Sequence, residues 1–219
     1  MIDVPPDCTQ WPERVRQAEQ PAALARAFDG QMECQRLAEA GWSPIATVAR
    51  ARREVRRISF RDGRLAFRIP SVALEREPDG GVFVSMSARG VPGSRKAEVP
   101  REVWDQTTGL HAEVRQVVRP RRWREGDPIP PLHCTTAVLE EAASGKAARR
   151  NISECVTEDR EAFELAYRIA AVAVAYIPEC TAAREKSRPQ PGPGAADDRP
   201  MWALLDCGGR FEPQTLPID

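Results

Sequence analysis

Little in this sequence carries recognisable chemistry, and each shortage excludes a class. None of the six cysteines stands in a CxxC pair, so zinc-ribbon, thioredoxin-like and haem-attachment sites are excluded. There are two histidines, His111 and His133, and only three lysines, Lys96, Lys146 and Lys186. No HExxH, GxSxG or DxD-like pattern occurs, and no two potential zinc ligands have ligand spacing. The glycine-rich fragments at 81–93 and 207–210 lack the lysine and the strand–turn–helix setting of a phosphate loop. The longest purely apolar run, residues 169–177, is far shorter than the ~20 residues a bilayer requires. The first residues, MIDVPPDCTQW, contain neither the basic nor the apolar region of a signal peptide. If the protein is exported, a leader has been removed and Met1 is a start introduced with its removal.

What is present points to one α+β domain over residues 1–219. The organising stretch is 158–177, EDREAFELAYRIAAVAVAYI. Phe163, Tyr167, Ala170, Val174 and Ile177 recur at helical spacing, beside a second stripe of Leu165, Ile169, Val172 and Tyr176. From Ile169 onward the segment is apolar all round and should be buried on every side. Thr157 is the expected N-cap, acidic residues follow it, and Pro178 ends the helix. A second helix is expected over 21–40, opened by Pro21 and closed by Gly41. A third is expected over 136–149, with Glu140 and Glu141 in its first turns.

Between them the hydrophobic period falls to two. Ile58 and Phe60 precede Asp62–Gly63, and Leu65, Phe67 and Ile69 follow, which reads as a hairpin. Val72 and Leu74, then Pro78–Asp79–Gly80–Gly81, then Val82, Val84 and Met86 read as a second. A loop is expected over 94–99 and a further strand over 110–118, with His111 on its surface. The predicted fold is an antiparallel sheet of four to five strands, covered on one face by three main helices. Arg57, Arg61, Arg64 and Arg68 should then point to water from the other face. Residues 184–200, rich in proline and glycine, read as a flexible excursion.

The charge balances to zero overall but is unevenly placed: residues 50–124 carry 18 basic and 9 acidic groups, and both flanks are acidic. Either this basic middle faces a polyanion, or it complements the acidic helical parts of its own molecule. Two arginine clusters stand out: Arg50, Arg52, Arg53, Arg56 and Arg57, and then Arg119, Arg121, Arg122, Trp123 and Arg124. Arginines beside an aromatic suit phosphates, uronates or an acidic protein surface, and the second cluster is the expected binding surface. No nucleic-acid module accompanies either cluster.

Cysteines at 8, 34, 134, 155, 180 and 207 are even in number and dispersed, as in an oxidised framework. A continuous helix over 158–177 would be about 30 Å long, which excludes Cys155–Cys180, since bridged α-carbons lie within about 7 Å. If 136–149 is a helix antiparallel to 158–177, Cys134 returns to Cys180. Cys8–Cys34 and Cys155–Cys207 then complete the pairing.

The functional reading is a non-enzymatic, periplasmic or secreted protein that binds or assembles with another protein or a polyanionic surface, without cofactor or metal. The pattern is that of many small exported bacterial proteins and of no single family. One alternative is a small enzyme using His133 beside the 120–134 loop. Another is a cytoplasmic, nucleic-acid-associated protein with free thiols.

Overall fold

The computed structural model describes residues 21–61, 70–88, 93–114, 135–181, 204 and 207. Along them the chain forms α1 (Pro21–Ala40), α2 (Ile45–Arg50), β1 (Glu54–Arg61), β2 (Ser71–Arg76), β3 (Val82–Ser87) and β4 (Arg95–Val99). Then come α3 (Arg101–Val114), β5 (Thr136–Ala143), β6 (Lys146–Ser153), a 3-10 turn at Thr157–Asp159 and α4 (Arg160–Tyr176). The six strands make one antiparallel sheet in the order β4-β3-β2-β1-β5-β6. The fold is therefore α+β, an antiparallel sheet covered by helices. The hairpin expected around residues 78–81 joins β2 to β3. The strand expected at 65–69 lies outside the described residues, among which β1 pairs with β2.

Three local expectations are corrected. Residues 136–149 form a β-hairpin, not a helix. Ala, Leu and Glu favour helix, but Ser144 and Gly145 both adopt positive φ, 51° and 75°, which a type I′ hairpin turn demands. Burial on both sheet faces also hides the alternation that would mark a strand. Residues 95–99 are an edge strand rather than a loop. Residues 110–114 belong to α3, so the backbone at His111 is helical and not extended.

Two layers of helix enclose the sheet, one on each face, where a single covered face was expected. On the first face Ile58, Phe60, Val72, Leu74, Val84, Met86 and Leu139 meet Phe163, Leu165, Ala166, Ile169, Ala170 and Ala173 of α4. Complete burial of one such aliphatic side chain stabilises by about 1.5–3 kcal/mol. α4 is not apolar on every side as expected: Ala171, Ala175 and Tyr176 are exposed, because a helix on one sheet face keeps a solvent side. Thr157 does not cap it. Asp159 occupies the cap position, and its carboxylate accepts from the Ser153 backbone N–H at 2.9 Å and pairs with Arg150.

A smaller cluster lies on the second face, where Ile45, Val48 and Ala49 of α2 pack on Val55, Ala73 and Ala142. α1 covers the same face and runs through Gly30 without a break. It ends at Gly41, φ +68°. There the N–H groups of Gly41 and Trp42 return to the carbonyls of Ala38 and Leu37, a Schellman closure.

The Cys180–Cys207 disulfide, with α-carbons 4.7 Å apart, fixes the C-terminal segment to the far end of α4. It replaces the expected Cys134–Cys180 and Cys155–Cys207 bridges. That expectation needed an antiparallel helix over 136–149 to carry Cys134 back to Cys180, and β5 stands there instead. Cys34 and Cys155 are also oxidised. The expected Cys8–Cys34 pairing involves a residue outside those described.

Candidate functional site

The first arginine cluster is divided by the fold. In the β1 register Arg56 pairs with Glu141, and Arg57 with Glu140. Side chains alternate along a strand, so the two pairs leave on opposite faces. Arg56 and Arg57 are both fully enclosed, at 3% and 2% exposure. Arg57 therefore does not point to water as expected.

Arg56 goes to the α4 face. It donates to the Trp104 carbonyl at 2.9 Å and to the Thr107 hydroxyl, and it lies 3.9 Å from the Trp104 ring centroid. Its Nε is 3.9 Å from Glu141. This arrangement fastens α3 to the sheet.

Arg57 goes to the α1 face and enters a buried charge cluster. Its Nη1 donates to the Ser43 carbonyl at 2.7 Å. Arg36 of α1 pairs with Glu33 one turn earlier and reaches Glu140 at 3.5 Å. Arg149 of β6 reaches Glu33 at 3.7 Å and Glu140 at 3.8 Å. Trp42 lies beside both Arg36 and Arg57. Burial, and next to it the Glu33 charge, push the Glu140 carboxyl above the usual carboxylate range, against the pull of Arg36, Arg57 and Arg149. Burial also pulls the Arg57 guanidinium below its usual value, against Glu140.

The acids that neutralise this cluster come from the acidic flanks of the sequence, so the internal reading of its charge holds for Arg56 and Arg57.

The remaining members of the cluster stay on the surface. Arg50, Arg52, Arg53 and Lys146 are exposed. Arg53 is paired with Glu75 at 3.1 Å, and Arg50 donates to the Thr47 hydroxyl. Arg52 and Lys146 have no ion pair among the described residues. Arg50 and Arg52, with Ala49, Ser144 and Gly145, line a shallow open groove of about 400 Å³ where α2 ends against the β5–β6 turn. Arg52 holds φ 54° because it terminates α2, with backbone bonds from Arg52 and Arg53 to Ala49 and Val48. Such left-handed closure belongs to the helix end itself.

The Arg119, Arg121, Arg122, Trp123 and Arg124 surface and His133 lie outside the described residues. Among the described residues no three metal-ligating side chains converge, and no helix is long and apolar enough to cross a membrane. The groove and the buried acid pair both escaped sequence reasoning. The Ser144–Gly145 turn was their available signal, since it places Glu140 on a strand opposite Arg57. No protein-family model, curated protein or solved structure matches this chain.

Proposed function

We propose that this protein is a non-enzymatic binding or assembly protein of an oxidising, extracytoplasmic compartment, and that it recognises an acidic surface on a protein partner. The observation that carries this reading is the cationic groove rim of Arg50 and Arg52, with Lys146 next in sequence to its Gly145. Arg52 and Lys146 are exposed and free of carboxylate partners among the described residues, with Arg50 alongside, although acids elsewhere neutralise the neighbouring Arg56 and Arg57. Exposed guanidinium and ammonium groups without internal partners offer charge to an incoming surface, and charge complementarity governs encounter rate and salt dependence. The Arg119–Arg124 stretch is a second cationic contact in the same proposal. The oxidised state of Cys34, Cys155, Cys180 and Cys207 supports the compartment.

The test is retention on an immobilised acidic polypeptide across a salt gradient. An Arg50→Glu, Arg52→Glu, Lys146→Glu variant should elute at clearly lower salt than the wild type while keeping its melting curve. An Arg121→Ser, Arg122→Ser, Arg124→Ser variant should show a smaller loss of the same kind. Identical elution of all three proteins would remove the surface assignment. Six alkylatable thiols in the native protein would remove the compartment.

A further inference from the structure

The sheet has two edges, and they are finished differently. β4 is five residues long, and its Arg95 and Lys96 pair with Glu179 and Glu77. β6, at the other edge, is eight residues long and has a strand on one side only, β5. Opposite residues of an antiparallel pair alternate between hydrogen-bonded and non-hydrogen-bonded positions. The Glu154 N–H donates to the Thr135 carbonyl at 2.9 Å, and these two residues stand opposite each other when the β5–β6 register is continued. That bond fixes the phase. Lys146, Ala148, Arg150 and Ile152 turn their backbone groups inward to β5, so Ala147, Arg149, Asn151 and Ser153 turn theirs outward. The Ser153 N–H is taken by the Asp159 carboxylate at 2.9 Å, which closes that end of the edge. The outward N–H and carbonyl groups of Ala147, Arg149 and Asn151 have no hydrogen-bond partner among the described residues. Asn151 is exposed, and Ala147 and Arg149 are half-buried.

Such a row is a template for a further strand, and its side chains select which one. β6 carries Lys146, Arg149 and Arg150 and no carboxylate. Lys146 is exposed, and Arg150 pairs with Asp159. Arg149 meets Glu33 and Glu140 at 3.7 and 3.8 Å, beyond hydrogen-bond range, so its N–H groups can still donate. A second copy of β6 is a poor occupant. Antiparallel pairing centred on Arg149 sets Arg149 against Arg149, and pairing centred on Arg150 sets Arg150 against Arg150. Like charges directly opposite destabilise a ladder. The cations therefore guard the edge against self-pairing and leave an acidic strand as its complement.

We propose that β6 is a strand-addition site, where an extended acidic segment of a partner protein pairs as a seventh strand on the six-stranded sheet. This rests on the acidic-partner reading above and gives the partner's contact its conformation. The segment's backbone bonds to Ala147, Arg149 and Asn151. Side chains of a strand alternate between faces, so carboxylates on one face meet Arg149 and, past Gly145, the Arg50 and Arg52 of the groove. A carboxylate on the other face meets Lys146. Main-chain bonds supply the affinity and the flanking cations the selectivity.

The probe is a soluble peptide of alternating glutamate and threonine, added to the full chain while amide exchange is followed residue by residue. Saturating peptide should raise the protection of the Ala147, Arg149 and Asn151 amides at least about tenfold. The Ala148 and Arg150 amides, already in the β5 ladder, should not change. Asn151→Pro deletes one outward donor and leaves the β5 ladder and the charge intact, and should weaken peptide binding about tenfold. Equal peptide affinity in a folded Asn151→Pro protein would overturn strand addition. Should that variant fail to fold, the wild-type amides decide alone. Loss of column retention in the Arg50→Glu, Arg52→Glu, Lys146→Glu variant, with no added protection at the three wild-type amides, would overturn strand addition and leave the acidic-partner reading standing. Retention unchanged in that variant would remove the reading and the proposal together. Protection of the same amides that grows with protein concentration, without peptide, would place a second copy on the edge and also overturn the proposal.

Discussion

In an Arg56→Ala protein, four contacts between β1 and its surroundings disappear at once. The guanidinium serves the Trp104 carbonyl and the Thr107 hydroxyl, covers the Trp104 ring, and faces Glu141 across the β1–β5 ladder. Truncation takes from Glu141, 3% exposed, a cation that faces it at 3.9 Å. Breaking a buried charge pair by removing one member costs about 3–5 kcal/mol, and a desolvated cation–ring contact contributes about 2 kcal/mol. The two are not additive, because one side chain supplies both. The expected loss is therefore about 4 kcal/mol, a large part of the 5–15 kcal/mol that holds a typical domain folded. Urea unfolding measures it, and thermal unfolding should show a fall of about 8–16 °C for a chain of this size. Arg52→Ala is the internal control: it removes the same group from an exposed position and should stay within about 0.5 kcal/mol. Arg56→Met combined with Glu141→Leu removes both charges from a face that is otherwise apolar, and should cost less than Arg56→Ala alone. A loss below about 1 kcal/mol for Arg56→Ala would refute the reasoning, as would a double variant worse than the single one.

Two further outcomes follow from the fold. Replacing Cys180 and Cys207 with serine releases a bridge between residues 27 apart, worth about 3.5 kcal/mol by loop-closure entropy, so the urea midpoint should fall well below that of the wild type. Ser144→Asn supplies the residue best suited to the first position of a type I′ turn and should raise stability by up to about 1 kcal/mol in the same assay, whereas a destabilised variant would show that the turn is held by other means.

The helices at 21–40 and 158–177 and the hairpin at 78–81 were legible because each carries its own punctuation. Pro21 and Gly41 bound the first helix, Pro178 follows the long one, and Asp79–Gly80–Gly81 turns the chain between alternating strands. The 136–153 hairpin was not legible from periodicity. Its inward positions on one face are Ala137, Leu139 and Glu141, and on the other Val138, Glu140 and Ala142, so polar and apolar residues share both faces. Glutamates following a threonine look like a helix start, and only a strand partner more than eighty residues earlier in the chain reveals another use for them. The same limit hid the groove, which exists because α2 ends against a turn nearly a hundred residues later.

Those two glutamates also bear on how the sheet finds its register. Arg56 and Arg57 are adjacent, and so are Glu141 and Glu140 on the antiparallel partner, so the native pairing places one Arg–Glu couple on each face. A slip of one residue exchanges the faces of every β5 side chain. It would send Leu139 toward the polar face beneath α1 and, according to its direction, set Glu140 opposite Ile58 beneath α4 or Glu141 opposite Val55 beneath α2. An apolar strand pair would weigh that error by burial alone. Here it also strands a carboxylate among aliphatic side chains, which costs several kcal/mol per uncompensated ion. The paired charges at the centre of the sheet therefore discriminate between registers more than they add to stability. They lie on β1 and β5, the two strands that join the β4-β3-β2 half of the sheet to the β5–β6 hairpin.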